Sequence, residues 1–184
     1  MILTNYFLKK KIRRLATGRS ERAGYYRTFQ DVQHILVFYD GRDSEPVAGC
    51  VELLRKLHKE VIGCMLVSSG APSSSGAPSD AGPGTSAFSA DYPVSIGKSL
   101  NIWGFPSDTV RREIDALPAD LLIDLTRQHC YPMQYLVLRH PSPFKVGPKR
   151  EGLELYDLSI LLAERDDTAY LFKQILFYLQ SIHP

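Results

Sequence analysis

The stretch from residue 34 to 68 constrains the fold more than any other part of the chain. "HILVFYD", 34–40, is a short apolar run rich in β-branched and aromatic side chains, and Gly41 follows it. An unbroken run of that length predicts a strand covered on both faces. "SEPVAGCVELLRKLHKE", 44–60, predicts a helix. Ser44 stands as N-cap, Pro46 falls in the first turn, and Val47, Val51, Leu54 and Leu57 recur at helical spacing. "VIGCMLVS", 61–68, predicts a second buried strand. Strand, helix and strand with such short joints form a βαβ unit, whose crossover is right-handed.

The same alternation continues downstream. Strands are expected at 99–106, 119–126 ("ADLLIDLT") and 144–147 ("FKVG"), with an edge strand at 153–162. Helices are expected at 107–118, capped by Ser107, and at 131–140, with Pro132 near its start. A terminal helix at 166–183 is capped by Asp166 or Asp167 and buries Leu171, Ile175, Leu179 and Ile182. The expectation is one three-layer, Rossmann-like α/β domain over 31–184, its sheet mostly parallel and covered by helices on both faces. The segment 68–93 is nearly all Ser, Gly, Ala and Pro and repeats "GAPS". It cannot bury enough apolar surface to offset its ordering entropy, so residues 69–92 are expected to be a flexible surface insertion. Its glycines match no phosphate-loop spacing.

Ahead of the domain, residues 1–30 carry eight basic side chains and one acid, a charge of +7, while the other 154 residues sum to −5. Residues 2–17 predict a helix with Leu8, Ile12 and Leu15 on one side, Phe7 beside them, and Gly18 as its stop. A basic amphipathic leader points to an anionic partner. Lys9, Lys10, Lys11, Arg13, Arg14, Arg19 and Arg22 are the candidate anion-binding residues, and the first reading is a non-catalytic module that docks on RNA or a ribonucleoprotein. The alternative is a peripheral membrane protein. There Ile2, Leu3, Tyr6, Phe7, Leu8, Ile12 and Leu15 enter the interface and the cations meet anionic lipid headgroups. A protein partner at the sheet edge or terminal helix is a further reading. No element reads as a DNA sequence reader, a transmembrane segment or a secretory signal. Cys50, Cys64 and Cys130 show no metal or redox spacing and read as free thiols. The expected location is the cytoplasm or the inner face of the membrane.

A doubly wound sheet binds ligands beyond the carboxyl ends of its strands. Those ends supply a candidate pocket of Asp40, Asp124, Thr126 and Gln128, with Arg42, Asp43, Arg127 and His129 as further wall residues. Asp40 and Asp124 are either a carboxylate pair for Mg²⁺ or general base work, or two local turn caps, which Asp favours. The paired form would suit a small enzyme acting on a sugar, phosphate or nucleotide. "DGRDSE", 40–45, lacks the glycine spacing of a dinucleotide site, so no nicotinamide or flavin is expected. The five histidines show no metal-ligand spacing, His129 and Cys130 are too close in sequence for a nucleophile–base pair, and no G-x-S-x-G occurs. No catalytic residue, metal or cofactor is therefore assigned. "YYRTF", 25–29, is read as packing on the first strand rather than as a stacking platform for bases.

Five pieces of the chain, Ile35–Asp40, Trp103–Pro106, Leu121–Thr126, Phe144–Gly147 and Tyr156–Leu158, resemble those of an uncharacterised family of small bacterial α/β proteins that open with a basic helix. Residues 119–150 also resemble the N-terminal Rossmann-like half of heptosyltransferase-type glycosyltransferases. The first resemblance implies a fold and no activity. The second covers about a third of the chain, and no residues remain for a second sugar-nucleotide domain, so it too brings no catalytic residue.

Overall fold

Among the described residues of the computed structural model (2–19, 28–67, 92–95, 100–101, 105–163 and 167–182), six strands form one sheet. They are β1 (His34–Asp40), β2 (Glu60–Val67), β3 (Tyr92–Ser95), β4 (Leu121–Asp124), β5 (Phe144–Pro148) and β6 (Leu158–Ile160). All five pairings are parallel and the order is β3-β2-β1-β4-β5-β6. That is the order of a Rossmann-like doubly wound sheet, with its switch point between β1 and β4. The helices are α1 (Ile2–Arg19), α2 (Ser44–Lys56), α3 (Asp108–Asp115), α4 (Tyr131–Arg139) and α5 (Thr168–Ser181).

Alternate side chains of β1 serve opposite layers, as strand geometry requires. Ile35, Val37 and Tyr39 join the core shared with α2 and α5, through residues such as Val51, Leu54, Leu171 and Ile175. Leu36 and Phe38 join the core under α1, α3 and α4, with Ile114, Leu136 and Val137. The α1 helix is thus part of the second layer. Leu8, Ile12 and Ala16 are buried in that core and Leu15 packs against it. Burying an Ile or Leu side chain is worth about 1.5–3 kcal/mol, so this seam holds α1 firmly on the domain.

Several local expectations need correction. The first residue of α2 is Ser44 itself; the N-cap position is Asp43, reached through a turn of 3-10 helix over Gly41–Asp43. Leu57 follows the last turn of α2 and is exposed, not part of its buried stripe. The helix α1 continues past Gly18 to Arg19. Tyr92–Ser95, of which Tyr92 and Pro93 were expected to close the low-complexity stretch, is the edge strand β3, because its backbone pairs with β2. Leu100, expected in a strand ending at Trp103-Gly104, forms an isolated antiparallel bridge with Pro106. Of 153–162 only Leu158–Ile160 is strand. Asp167 is the cap of α5, and Ile182 is the residue after its last turn. Residues 68–91, with most of the expected insertion, Trp103, Arg22 and the aromatics at 25 and 26 lie outside the described residues. Phe29 is buried against the β1 layer, in line with a packing role.

Candidate functional site

At the switch point, β1 ends in Asp40 and the chain turns sharply. The Arg42 backbone N–H donates to Asp40 Oδ1 (3.0 Å), the local turn that Asp favours. The Arg42 side chain folds back on the same carboxylate, Nε to Oδ1 at 2.9 Å and Nη2 to Oδ2 at 2.7 Å. This two-pronged contact holds the Asp40 carboxyl below its ordinary value. Arg42 Nη2 also donates to Gln128 Oε1 across the crevice (2.9 Å). In the opposite direction, Arg127 Nη2 lies 3.6 Å from Asp43 Oδ1, and Thr168 Oγ1 of α5 donates to Asp43 Oδ2 (2.9 Å). Two polar straps therefore lace the loop after β1 to the loop after β4.

Asp124 lies beneath them and is fully buried. Its Oδ1 accepts from the Thr126 N–H (2.8 Å) and hydroxyl (2.6 Å), and its Oδ2 accepts from the Tyr156 hydroxyl. Burial, and then the neighbouring carboxylate, pushes the Tyr156 phenol well above its ordinary value, so it stays a donor. Arg150 completes the cluster, donating to the carbonyls of Arg127 (2.6 Å) and Thr126. Tyr156 can reach Asp124 only because residue 147 is glycine: a Cβ there would stand 2.7 Å from the tyrosine ring. The "LLIDLT", "FKVG" and "YDL" pieces thus converge on one buried contact.

The structure brings Asp40, Gln128, Asp124 and Thr126 to one end of the sheet, but commits each to a partner within the chain. The two aspartates are separate turn-building groups, not a free carboxylate pair. Among the described residues no group of three His, Cys, Asp or Glu is placed to hold a metal ion. Burial pushes the Cys130 thiol up to about 11, and His129 Nδ1 faces Gln134 Nε2 at 3.1 Å. That thiol is therefore a poor nucleophile. Sequence reasoning missed Tyr156, Arg150 and Gly147, because nothing in their local pattern announces a contact with Asp124. A cavity of about 420 Å³ does exist, bordered by Phe29, Leu57, Lys59 and Gln180 at the other end of the sheet. The Lys59 ammonium there donates to the carbonyls of Gln30 and Val32.

The α1 helix presents the contrasting surface. With Leu8, Ile12 and Ala16 turned inward, Lys9, Lys10, Lys11, Arg13 and Arg14 are all exposed. Lys11 Nζ sits 5.1 Å from the Phe105 ring centre and 5.5 Å from that of Tyr135, a cation–π arrangement. Among the described residues, Lys9, Lys10, Arg13 and Arg14 make no ion pair with a carboxylate. Tyr6 (58% exposed) and Phe7 (47%) stand one turn ahead of them, in edge-to-face contact at 5.7 Å. The side chain of Arg19, and all of Arg22, lie outside the described residues. The membrane reading needs correction in one respect: Leu8 and Ile12, expected to enter a bilayer, are only 2% and 0% exposed because they fill the seam with the domain.

Residues 4–182 match the model of DUF6913, described as a family of unknown function. The chain belongs to that family. No curated protein and no solved structure is significantly similar to it. Among the described residues no helix is long and apolar enough to cross a membrane.

Proposed function

We propose that this DUF6913 protein is a non-catalytic binding module that docks on RNA, free or in a ribonucleoprotein, through the outer face of α1. One observation carries the reading: a folded, docked helix displays Lys9, Lys10, Arg13 and Arg14 with no carboxylate partner among the described residues. Holding like charges together on one surface is unfavourable, and an anionic partner relieves it. Docking also fixes the cations relative to one another, which reduces the ordering cost at binding.

The peripheral-membrane reading is weaker on the same grounds. An interfacial helix needs a broad apolar face, and the apolar face of α1 is already spent on the domain. The enzyme reading is weaker because Asp40, Asp124 and Thr126 each serve a neighbour. A cytoplasmic location accords with RNA docking. The narrower expectations, a bacterial source and a heptosyltransferase-like half, rest on sequence pieces alone and add no substrate.

The test is fluorescence anisotropy of the full chain with a labelled 12-nucleotide RNA across a salt series. Vesicles of phosphatidylcholine, with and without phosphatidylglycerol, are run alongside. If five cations engage a single strand, log K falls against log salt with a slope of about −3.5. Replacing Lys9, Lys10, Arg13 and Arg14 by Gln together should abolish most of that slope without unfolding the protein. Salt-insensitive RNA binding, or sedimentation with anionic vesicles and no RNA binding, would overturn the proposal.

A further inference from the structure

We infer that the outer face of α5 is the interface of a homodimer, in which Phe177 of each copy enters the cavity beside Leu57 and Lys59 of the other. The inference does not rest on the RNA reading. α5 carries Lys173 as its single charged side chain. Its outward positions hold Tyr170 and Phe177, two turns apart, with Tyr178 beside the second; they are 43%, 62% and 44% exposed. Leu53 and Leu57 of α2, which packs beside α5, are exposed as well. An aromatic side chain carries about 150–250 Å², so the three rings leave about 300 Å² in water. An interface of ordinary size takes about 800 Å² from each partner, and roughly 65% of a homodimer interface is apolar. The rings and the two leucines supply most of that apolar share. Interface cores are likewise rich in Tyr and Phe and poor in charge.

The face also holds its own complement. Gln180, three residues beyond Phe177 and so its neighbour on the helix, borders the cavity of about 420 Å³ together with Leu57 and Lys59. A two-fold axis sets one patch against itself, so a knob and a hole that adjoin on one copy meet the hole and the knob of the other. A cavity of roughly 150 Å³ already takes a benzene ring. The Lys59 ammonium gives two donors to the carbonyls of Gln30 and Val32 and lies 5.0 Å from the Phe29 ring centre. It has no carboxylate at ion-pair distance among the described residues. A buried cation of that kind accepts a second aromatic face without needing a counter-ion. The edge-to-face contact of Phe177 with Tyr178, at 5.5 Å, holds the knob in place before it docks. Because α1 packs in the other layer of the domain, both cationic faces stay open in the dimer.

The test is sedimentation velocity of the full chain from about 1 to about 200 μM, where a monomer–dimer equilibrium is expected. Phe177→Glu should weaken association on the order of a hundredfold, and Leu57→Glu on the order of tenfold. Both positions are exposed, so the circular dichroism of each variant should match the parent. Phe177→Leu keeps an apolar knob and should still dimerise at the highest concentration. Replacing Lys9, Lys10, Arg13 and Arg14 by Gln should leave the equilibrium unchanged. In a mixture of isotope-labelled and unlabelled chains, filtered NOE spectra should join the Phe177 ring of one copy to the Leu57 methyls of the other. A chain that stays monomeric throughout leaves this face to a different protein and overturns the inference. So does a dimer that Phe177→Glu leaves intact, or a dimer without those intermolecular NOEs.

Discussion

At the strand ends, Arg42 is bound to Asp40 and Gln128, Arg127 faces Asp43, and Arg150 donates to two carbonyls. On the outer face of α1, Lys9, Lys10, Arg13 and Arg14 have no such acceptor among the described residues. The two regions use the same residue types for opposite ends. In the crevice, cations hold loops together across the point where a doubly wound sheet would open to a ligand. On α1 they are left for something outside the chain. A Rossmann-like strand order therefore does not by itself place a ligand at the switch point; the side chains there decide.

Substitutions should separate the two regions, beginning with the largest effect. Asp124→Ala removes the acceptor of the Thr126 N–H and hydroxyl and of the Tyr156 hydroxyl, and leaves these buried donors unsatisfied. It should cost about 2–4 kcal/mol in chemical denaturation. A loss below about 1 kcal/mol would return Asp124 to the list of candidate pocket residues. Ile12→Ala empties part of the seam under α1 and should cost about 3 kcal/mol. An unchanged stability would mean that the helix is not held on the domain.

Acid should strike the internally satisfied set and spare α1. His140 is fully buried; its Nε2 lies 3.2 Å from the Leu117 carbonyl, and its Nδ1 accepts from the Ser142 N–H. Protonation would turn that acceptor into a second donor, close to the Lys145 ammonium, which donates to the His140 carbonyl. Burial first, and then Lys145, lowers the His140 value to about 4, while an unfolded histidine titrates near 6.5. Between those values the unfolded chain binds the extra proton. Stability is therefore complete above about pH 6.5 and falls by up to about 3 kcal/mol on the way down to pH 4. Denaturation midpoints measured at pH 7, 5.5 and 4 check this; a flat profile above pH 5 would refute it.

The smallest effects are the most diagnostic. Arg42→Ala removes an exposed guanidinium from the buried Asp40 carboxylate, which keeps the residue 42 N–H as a donor, and should cost about 1–2 kcal/mol. Lys10→Gln should leave stability within about 0.5 kcal/mol. Its mark should be on RNA binding instead, a salt slope shallower by about 0.7. If Arg42→Ala altered that slope and Lys10→Gln did not, the roles assigned to the two regions would have to be exchanged.

Much of the fold was legible in the chain. β1, β2, β4 and β5 are apolar runs, and α5 carries Leu171, Ile175 and Leu179 at helical spacing. The edge strand β3 was not legible, since "YPVS" has no run of its own and is a strand only through its pairing with β2. The stretch 153–162 misled because its alternation resembles a strand, whereas Leu155 and Tyr156 are buried for packing beside Asp124 and precede the short strand β6. The candidate pocket residues were correctly placed at one end of the sheet. The turn-cap reading of Asp40 and Asp124 was legible, since each accepts from the backbone N–H two residues on; the contact of Tyr156 with Asp124 was not.

The sequence by itself determined where helices and strands form, and that α1 has an apolar side and a cationic side, because both follow from spacing within a few residues. Only the tertiary structure decided which surface the apolar side meets, and which remote side chains close over the turns that Asp40 and Asp124 build. Those answers depend on partners remote in the chain: Gln128 lies 86 residues beyond Arg42, and Tyr156 lies 32 beyond Asp124. Contacts at such separations are made by the packing of the sheet and its layers, and no local periodicity encodes them.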